Sequence, residues 1–298
     1  MPLVSVAMAV YNGGRYLREQ VQSILNQTVK DIELVMNDDC SSDDSWAVMS
    51  ALAEKDGRIR IYRNAHNLGF KDNFQQAIGH CHGDYIALSD CDDIWLPNHL
   101  QLLLDSIGDK SLACGDSAFV DAQGRSLGTT LRHQEALDWI PSDNMKKFTS
   151  IILFRNPYQG ATMLLQRDFL NLALPIPTEM RYHDTWFASL ACFCGGISYV
   201  RQPLMKYRRL ETSITGMRGK RKSKLYRFLH LRFDEDRLDI LHCIEQRLDK
   251  RLSSRQRKVI ESLRHVLILY NHNNLASVRL FELLHYKEIY SCDLTHWI

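Results

Sequence analysis

The chain has 298 residues, 45% of them hydrophobic and 24% charged. Those values exclude a disordered or fibrous chain, and the length suits one large core or two smaller ones. The formal net charge of +2 hides an asymmetry: residues 217–298 carry 17 Lys+Arg against 10 Asp+Glu, and residues 1–216 carry 20 against 25. A basic tail therefore follows an acidic body. No stretch reaches the roughly 18 apolar residues of a membrane-spanning helix. The N-terminus has no charged n-region leading into an apolar h-region, so a cytoplasmic chain is expected. The eight cysteines are scattered. Cys192 and Cys194, the one close pair, lack a matching second pair or spaced histidines, and buried free thiols are expected.

Leu3 to Val10 is a nearly continuous apolar run, the pattern of a strand covered on both faces, and it stops at Tyr11-Asn12-Gly13-Gly14. Tyr16, Leu17, Val21, Ile24 and Leu25 recur at helical spacing. Ile32 to Met36 reads as a second buried strand ending at Asn37-Asp38-Asp39. Ser41-Ser42-Asp43-Asp44 offers N-cap residues for a helix through Trp46, Val48, Met49 and Leu52. Ile59 to Tyr62 is a third strand, Asn73 to His80 a helix, and Tyr85 to Ser89 a fourth strand. Strands alternating with helices predict βαβ units and a mainly parallel sheet.

Beyond Leu112 the pattern weakens into an α+β continuation. Strands are expected at Leu112 to Phe119, Ala161 to Leu165 and Ile197 to Val200, a polar loop at Gln123 to Gly128, and a helix at Asp184 to Phe193. Long helical segments follow the basic run Arg218-Gly219-Lys220-Arg221-Lys222-Ser223-Lys224. A boundary near residue 216 divides a domain of residues 1–216 from a basic, mainly helical extension of residues 217–298.

Ligands of parallel sheets bind beyond the carboxyl ends of the strands. Those ends carry Tyr11-Asn12, Asp38-Asp39 and Asp90-Cys91-Asp92-Asp93. Asp90 and Asp92 are two apart, so at a strand end they leave one face while Cys91 faces away. Two converging carboxylates repel unless a cation lies between them, and a hard divalent ion, Mg2+ or Mn2+, suits them. The alternative is that one acid caps the next helix and the others are solvated.

Several stretches resemble, in chain order, the motifs of family 2 glycosyltransferases with the GT-A fold. They are Val4-Ser5-Val6 through Tyr11-Asn12, Asn37-Asp38-Asp39-Cys40-Ser41-Ser42-Asp43, Asn67-Leu68-Gly69-Phe70, and Gly83-Asp84-Tyr85-Ile86 with Ser89-Asp90-Cys91-Asp92-Asp93-Ile94-Trp95. Tyr158-Gln159-Gly160-Ala161-Thr162-Met163, His183-Asp184-Thr185-Trp186 and Pro203-Leu204-Met205-Lys206-Tyr207-Arg208 look like later motifs of the subgroup that builds bacterial surface polysaccharides such as O-antigen.

The resemblance implies an α/β GT-A domain over residues 3 to 216 and an inverting, metal-dependent transfer of a sugar from a nucleotide-diphosphate donor. A UDP-hexose and dTDP-rhamnose are both compatible with it. By the same resemblance Asp92 and Asp90 hold the metal, and Tyr11, Asp39, Asp90, Asp93, Lys71 and Arg208 serve the nucleotide and donor. Asp184 is the catalytic base. Trp95, Gly160, His183 and Trp186 are acceptor-side candidates. It also implies a lipid-linked glycan acceptor.

Three positions depart from the pattern. Cys91 stands inside the acidic motif, Cys40 stands where glycine is common, and Leu210 stands where relatives carry a histidine that supports the metal or diphosphate. Asp184 alone also reads as a helix N-terminal acid favoured by the macrodipole.

The tail, with Lys220, Arg221, Lys222 and Lys224 beside Leu225, Phe228, Leu229 and Leu231, suits either a solvated face or a peripheral anchor on the inner face of the cell membrane. Nucleic-acid binding is not expected, because the acidic body lacks a basic stripe with interleaved aromatics. Two rival readings are a Mg2+-dependent nucleotidyltransferase, of whose N-terminal loop Tyr11-Asn12-Gly13-Gly14-Arg15 is a faint version, and a catalytically inactive nucleotide-sugar-binding scaffold.

Overall fold

The computed structural model describes residues 3–135, 140–153, 156–210 and 236–271. The first half follows the expected alternation: β1 (Val4–Val10), α1 (Gly14–Leu25), β2 (Ile32–Asp38), α2 (Ser45–Ala53), β3 (Ile59–Arg63), α3 (Phe70–Gly79) and β4 (Tyr85–Ser89). Then come β5 (Ile94–Trp95), α4 (His99–Ile107), β6 (Leu112–Val120), β7 (Ser126–Thr130), α5 (Leu131–Glu135), α6 (Asn144–Leu153), β8 (Leu164–Gln166), α7 (Arg167–Ala173), α8 (His183–Cys194) and β9 (Ile197–Arg208). Two helices, α9 (Arg237–Leu248) and α10 (Ser254–Asn271), complete the described chain.

The strands form one sheet in the order β3-β2-β1-β4-β8-β6-β9-β5, with β7 paired to β6. Strands β3, β2, β1 and β4 are mutually parallel, β8 runs antiparallel between β4 and β6, and β9 lies parallel to β6. Because β1 pairs with β2 on one side and β4 on the other, the chain reverses its winding direction there. Such a switch point opens a crevice at the carboxyl ends of the two strands.

Period-2 geometry divides β1 between two cores. Val4, Val6, Met8 and Val10 face one apolar layer with Leu17, Val21, Ile24 and Leu100. Ala7 faces the other, with Phe74, Ile86, Phe148 and Trp186. Ile240, Ile244, Ile260 and Val266 of α9 and α10 are buried in that second layer. The described C-terminal helices thus share the core of the preceding domain. The boundary placed at residue 216, and the basic run from Arg218 to Lys224, lie outside the described residues.

Three expectations differ in detail. The polar loop at Gln123 to Gly128 turns into β7. The strand at Ala161 to Leu165 is short, because Gly160–Thr162 forms a 3-10 turn first. Strand β9 continues eight residues beyond the expected Val200 to Arg208. Exposed Arg201 and Gln202 and the proline at 203 hide that continuation. The sheet absorbs them through register shifts at Gly115/Asp116 and Asp116/Ser117 on β6. All seven described cysteines are free thiols, as expected.

Candidate functional site

The loops after β1, β2 and β4 meet at the switch point, and side chains lock them together. The loop after β2 was expected to cap α2, but Asp44 at the N-cap makes no side-chain cap bond. Its neighbours reach across to the β1 loop instead. The N–H groups of Asn12, Gly13 and Gly14 donate to Ser41 Oγ, Ser45 Oγ and Asp43 Oδ2 at 2.9, 2.9 and 3.0 Å. Cys40 takes the left-handed conformation at φ +60. The turn therefore keeps the backbone that glycine favours, with a strained cysteine carrying it.

Asp39 is buried with both oxygens engaged. Oδ1 accepts from Asn64 Nδ2 and Leu68 N, both at 2.8 Å, and Oδ2 accepts from Gly69 N at 2.9 Å. Those bonds hold the Asn67-Leu68-Gly69-Phe70 motif over the end of β2. They leave about one of a carboxylate's four acceptor positions for a ligand. Tyr11 stands exposed at the end of β1.

Asp90 and Asp92 lie half-buried beyond β4. Burial, then the charges of Asp92 and Asp184, push the Asp90 carboxyl up to about 7. Burial also pushes Asp92 up, with Arg208 opposing. Asp90 therefore feels two further acids, one from its own loop and one from the first turn of α8. Cys91 faces the other way: a Cβ at Gly13 would stand 2.5 Å from its sulfur.

Among the described residues, no three His, Cys, Asp or Glu side chains converge closely enough to hold an ion unaided. Leu210, half-buried just past the end of β9, brings no ligating atom. The donor set still fits a hard divalent cation. Asp90 and Asp92 are hard carboxylates whose mutual repulsion a cation relieves, and such ions keep positions for phosphate oxygens and water.

Asp184 opens α8, where the macrodipole favours its charge. Its Oδ1 accepts from Thr185 N at 2.6 Å. Among the described residues, Oδ2 has no protein partner. His183, 8% exposed, sits 4.3 Å from the Phe74 ring, and neither of its nitrogens has a hydrogen-bond partner among the described residues. Burial lowers its pKa. Gly160 is buried against it, and a Cβ there would stand 2.6 Å from His183 Nε2.

Other expected contacts are redirected. Trp186 is 0% exposed and donates its indole N–H to Ala173 O, so it is core and not an acceptor platform. Trp95, 3% exposed, stacks on His99 at 3.9 Å within the other core layer and is likewise removed from the crevice. Asp93 is 0% exposed, with Oδ1 accepting from Arg208 N; burial, then the charges of Asp92 and Asp90, push its pKa well up. It offers no surface to a sugar.

Lys71 donates to the carbonyls of Pro177 and Thr178, tying α3 to the segment before α8. Arg208, 2% exposed, directs Nε to Asp92 O at 2.7 Å, Nη1 to Ala122 O at 3.1 Å and Nη2 to Glu19 Oε2 at 2.9 Å. Its guanidinium is engaged by protein oxygens beneath the acidic loop. Glu19 and Ala122 carry no sequence signal for this role; only the fold brings them to Arg208.

The glycosyl transferase family 2 model matches residues 5–173. The chain belongs to that family. An uncharacterized glycosyltransferase of Haemophilus influenzae is 27% identical over 213 residues, covering 70% of this chain and 65% of that protein. The putative glycosyltransferase EpsH of Bacillus subtilis is 28% identical over 217 residues, with 70% and 61% covered. The chain thus spans a little under two thirds of these relatives' own length. Among solved structures, Staphylococcus aureus TarS 1-349 superposes with a TM-score of 0.59 at 15% identity, over 90% of this chain and 72% of that one. A Pyrobaculum calidifontis mannosyltransferase, solved with GDP-Man and Mn2+, gives 0.52 at 13%, over 98% and 88%. These likenesses establish the GT-A fold.

Proposed function

We propose that this glycosyltransferase carries out an inverting, metal-dependent transfer of a sugar from a nucleotide-diphosphate donor to a lipid-linked glycan in bacterial surface-polysaccharide synthesis. The observation that carries the reading is that Asp90, just beyond β4, stands within electrostatic reach of both Asp92 and Asp184. One acidic site is suited to a cation and the other to a proton. Family membership supports the sugar-transfer chemistry. The UDP and UDP-GlcNAc complexes of TarS and the GDP-Man complex of the mannosyltransferase support the donor class.

Asp92 and Asp90 would hold a divalent ion, which would supply positive charge to offset the negative charge developing on the departing nucleoside diphosphate. The residues do the rest. The loops locked by Ser41, Asp43 and Ser45 hold the donor against the ends of β1 and β2, with Tyr11 and Asp39 toward the nucleoside. The acceptor hydroxyl attacks the anomeric carbon from the face opposite the diphosphate. As its oxygen bonds to that carbon, the proton passes to Asp184 Oδ2 and the old bonding pair leaves with the diphosphate. Lys71 and Arg208 act by positioning the surrounding segments. The basic tail is read as the peripheral contact with the inner face of the cell membrane. Among the described residues no helix is long and apolar enough to cross a membrane.

The test is a thermal-shift screen of UDP-, GDP- and dTDP-sugars with and without Mn2+ or Mg2+, followed by mass spectrometry of products with lipid-linked glycan acceptors. Metal-dependent stabilisation by one donor, followed by transfer, supports the proposal. Stabilisation without turnover on any acceptor favours the inactive scaffold, and pyrophosphate release from a nucleoside triphosphate favours the nucleotidyltransferase.

A further inference from the structure

A buried lysine without a carboxylate partner sits well away from the acidic loops. Lys147 of α6 is 7% exposed, and its ammonium donates to Ile197 O at 2.7 Å. Among the described residues it enters no ion pair, and Ile197 O is the protein acceptor of its ammonium. Burial lowers its pKa, and the groups that face it are the Cys192 and Cys114 thiols, Lys110 and Asp143. Asp143 is itself bridged to Arg255 at 2.8 Å. A buried, uncompensated charge is costly, and such groups are ordinarily paired or ligand-bound.

Lys147 lines a cavity of about 170 Å³ together with Tyr199, Arg201, Arg132, Ile140 and Pro141. Tyr199 and Arg201 are two apart on β9, with Tyr199 Oη buried and without a hydrogen-bond partner among the described residues. No acidic side chain lines the cavity among the described residues. Asp116, whose charge reaches Tyr199, has its Oδ1 taken by the N–H groups of Ser117 and Arg132. Tyr199 lies nine positions before Arg208 on β9, on the order of 30 Å of strand from the acidic loop. The cavity is therefore distinct from the donor crevice.

Lys147 and Arg201, the Tyr199 hydroxyl and the absence of a lining carboxylate among the described residues select a compact anion with several acceptor oxygens. We propose that this cavity binds a phosphate-class oxyanion, with Lys147 and Arg201 supplying charge and Tyr199 a hydroxyl donor. Free phosphate and a phospholipid headgroup share that chemistry. This inference does not depend on the donor reading.

The test uses the full chain in EDTA, so that the acidic loop holds no metal. One arm titrates inorganic phosphate at constant ionic strength, by thermal shift and calorimetry. The other measures cosedimentation with phosphatidic acid vesicles against phosphatidylcholine vesicles.

The wild type is expected to show a saturable rise in Tm with phosphate. Lys147→Met should abolish it, Arg201→Gln should weaken binding about tenfold, and Asp92→Asn should leave it unchanged. Binding only to phosphatidic acid vesicles, weakened by the same two variants, assigns the oxyanion to the lipid. No saturable response in either arm, or one that Lys147→Met and Arg201→Gln leave unchanged, overturns the proposal. If Lys147→Met does not fold, exposed Arg201 still decides.

Discussion

The backbone N–H of Arg208 donates to the Asp93 carboxylate at 3.0 Å, joining residues 115 positions apart. With the Arg208 guanidinium on Asp92 O, this bond fixes the end of β9 under the loop that carries Asp90 and Asp92. The loop is held through the Asp93 carboxylate and the Asp92 carbonyl, so neither bond uses the Asp90 or Asp92 carboxylate.

Arg208→Met removes a buried cation and leaves the Ala122 and Asp92 carbonyls without their donors. A loss of about 2–4 kcal/mol in urea unfolding is expected, with the Mn2+ concentration for half-maximal activity rising about tenfold. Arg208→Lys should recover only part of both, because one ammonium cannot span three separated acceptors. Glu19→Gln should cost under about 1 kcal/mol, since that carboxylate is 59% exposed.

The two acidic roles separate kinetically. Asp184→Asn should lower kcat by roughly 10²–10⁴-fold while donor binding persists, since it removes the proton acceptor alone. Asp92→Asn should lose metal-dependent donor stabilisation as well as turnover. Full transfer by either variant sinks its assignment.

Burial lowers the His99 pKa from 6.5 to about 3. Its native state stays neutral where the unfolded chain takes up a proton, so the unfolded state binds more protons between these values. Stability is full above about pH 6.5 and falls with pH below it by up to about 1.4 kcal/mol per unit. His183 is lowered by burial too and acts in the same direction. Urea unfolding of His99→Gln at pH 7 and pH 5 should show a shallower loss than the wild type.

Gly83 turns the chain into β4 against the backbone of β1. A Cβ there would stand 2.6 Å from both Leu3 O and Ser5 N. Neither is a flexible side-chain end, so Gly83→Ala should destabilise by about 1–3 kcal/mol, read as a lower Tm. Gly57→Ala, which meets no atom within 4 Å, is the control.

The first four strands were legible because buried parallel strands write themselves as apolar runs, and Asp90 and Asp92 were legible because a period of two is a local property. The length of β9 was not, since Pro203 looks like a terminator until the register shifts are seen. Trp95 and Trp186 were misplaced for a related reason. An aromatic residue inside a motif has the same signature whether it lines a crevice or fills the core beneath it.

By itself the sequence determined the family motifs, the parallel half of the sheet and the position of the acids at the ends of β2 and β4, because these follow from neighbours along the chain. Only the tertiary structure decided that Asp93 and Arg208 are buried partners, that Asp43 bonds across to the β1 loop, and that Lys147, Tyr199 and Arg201 line one cavity. Each of these depends on which donor meets which acceptor across distant segments, and on how much water is left between them.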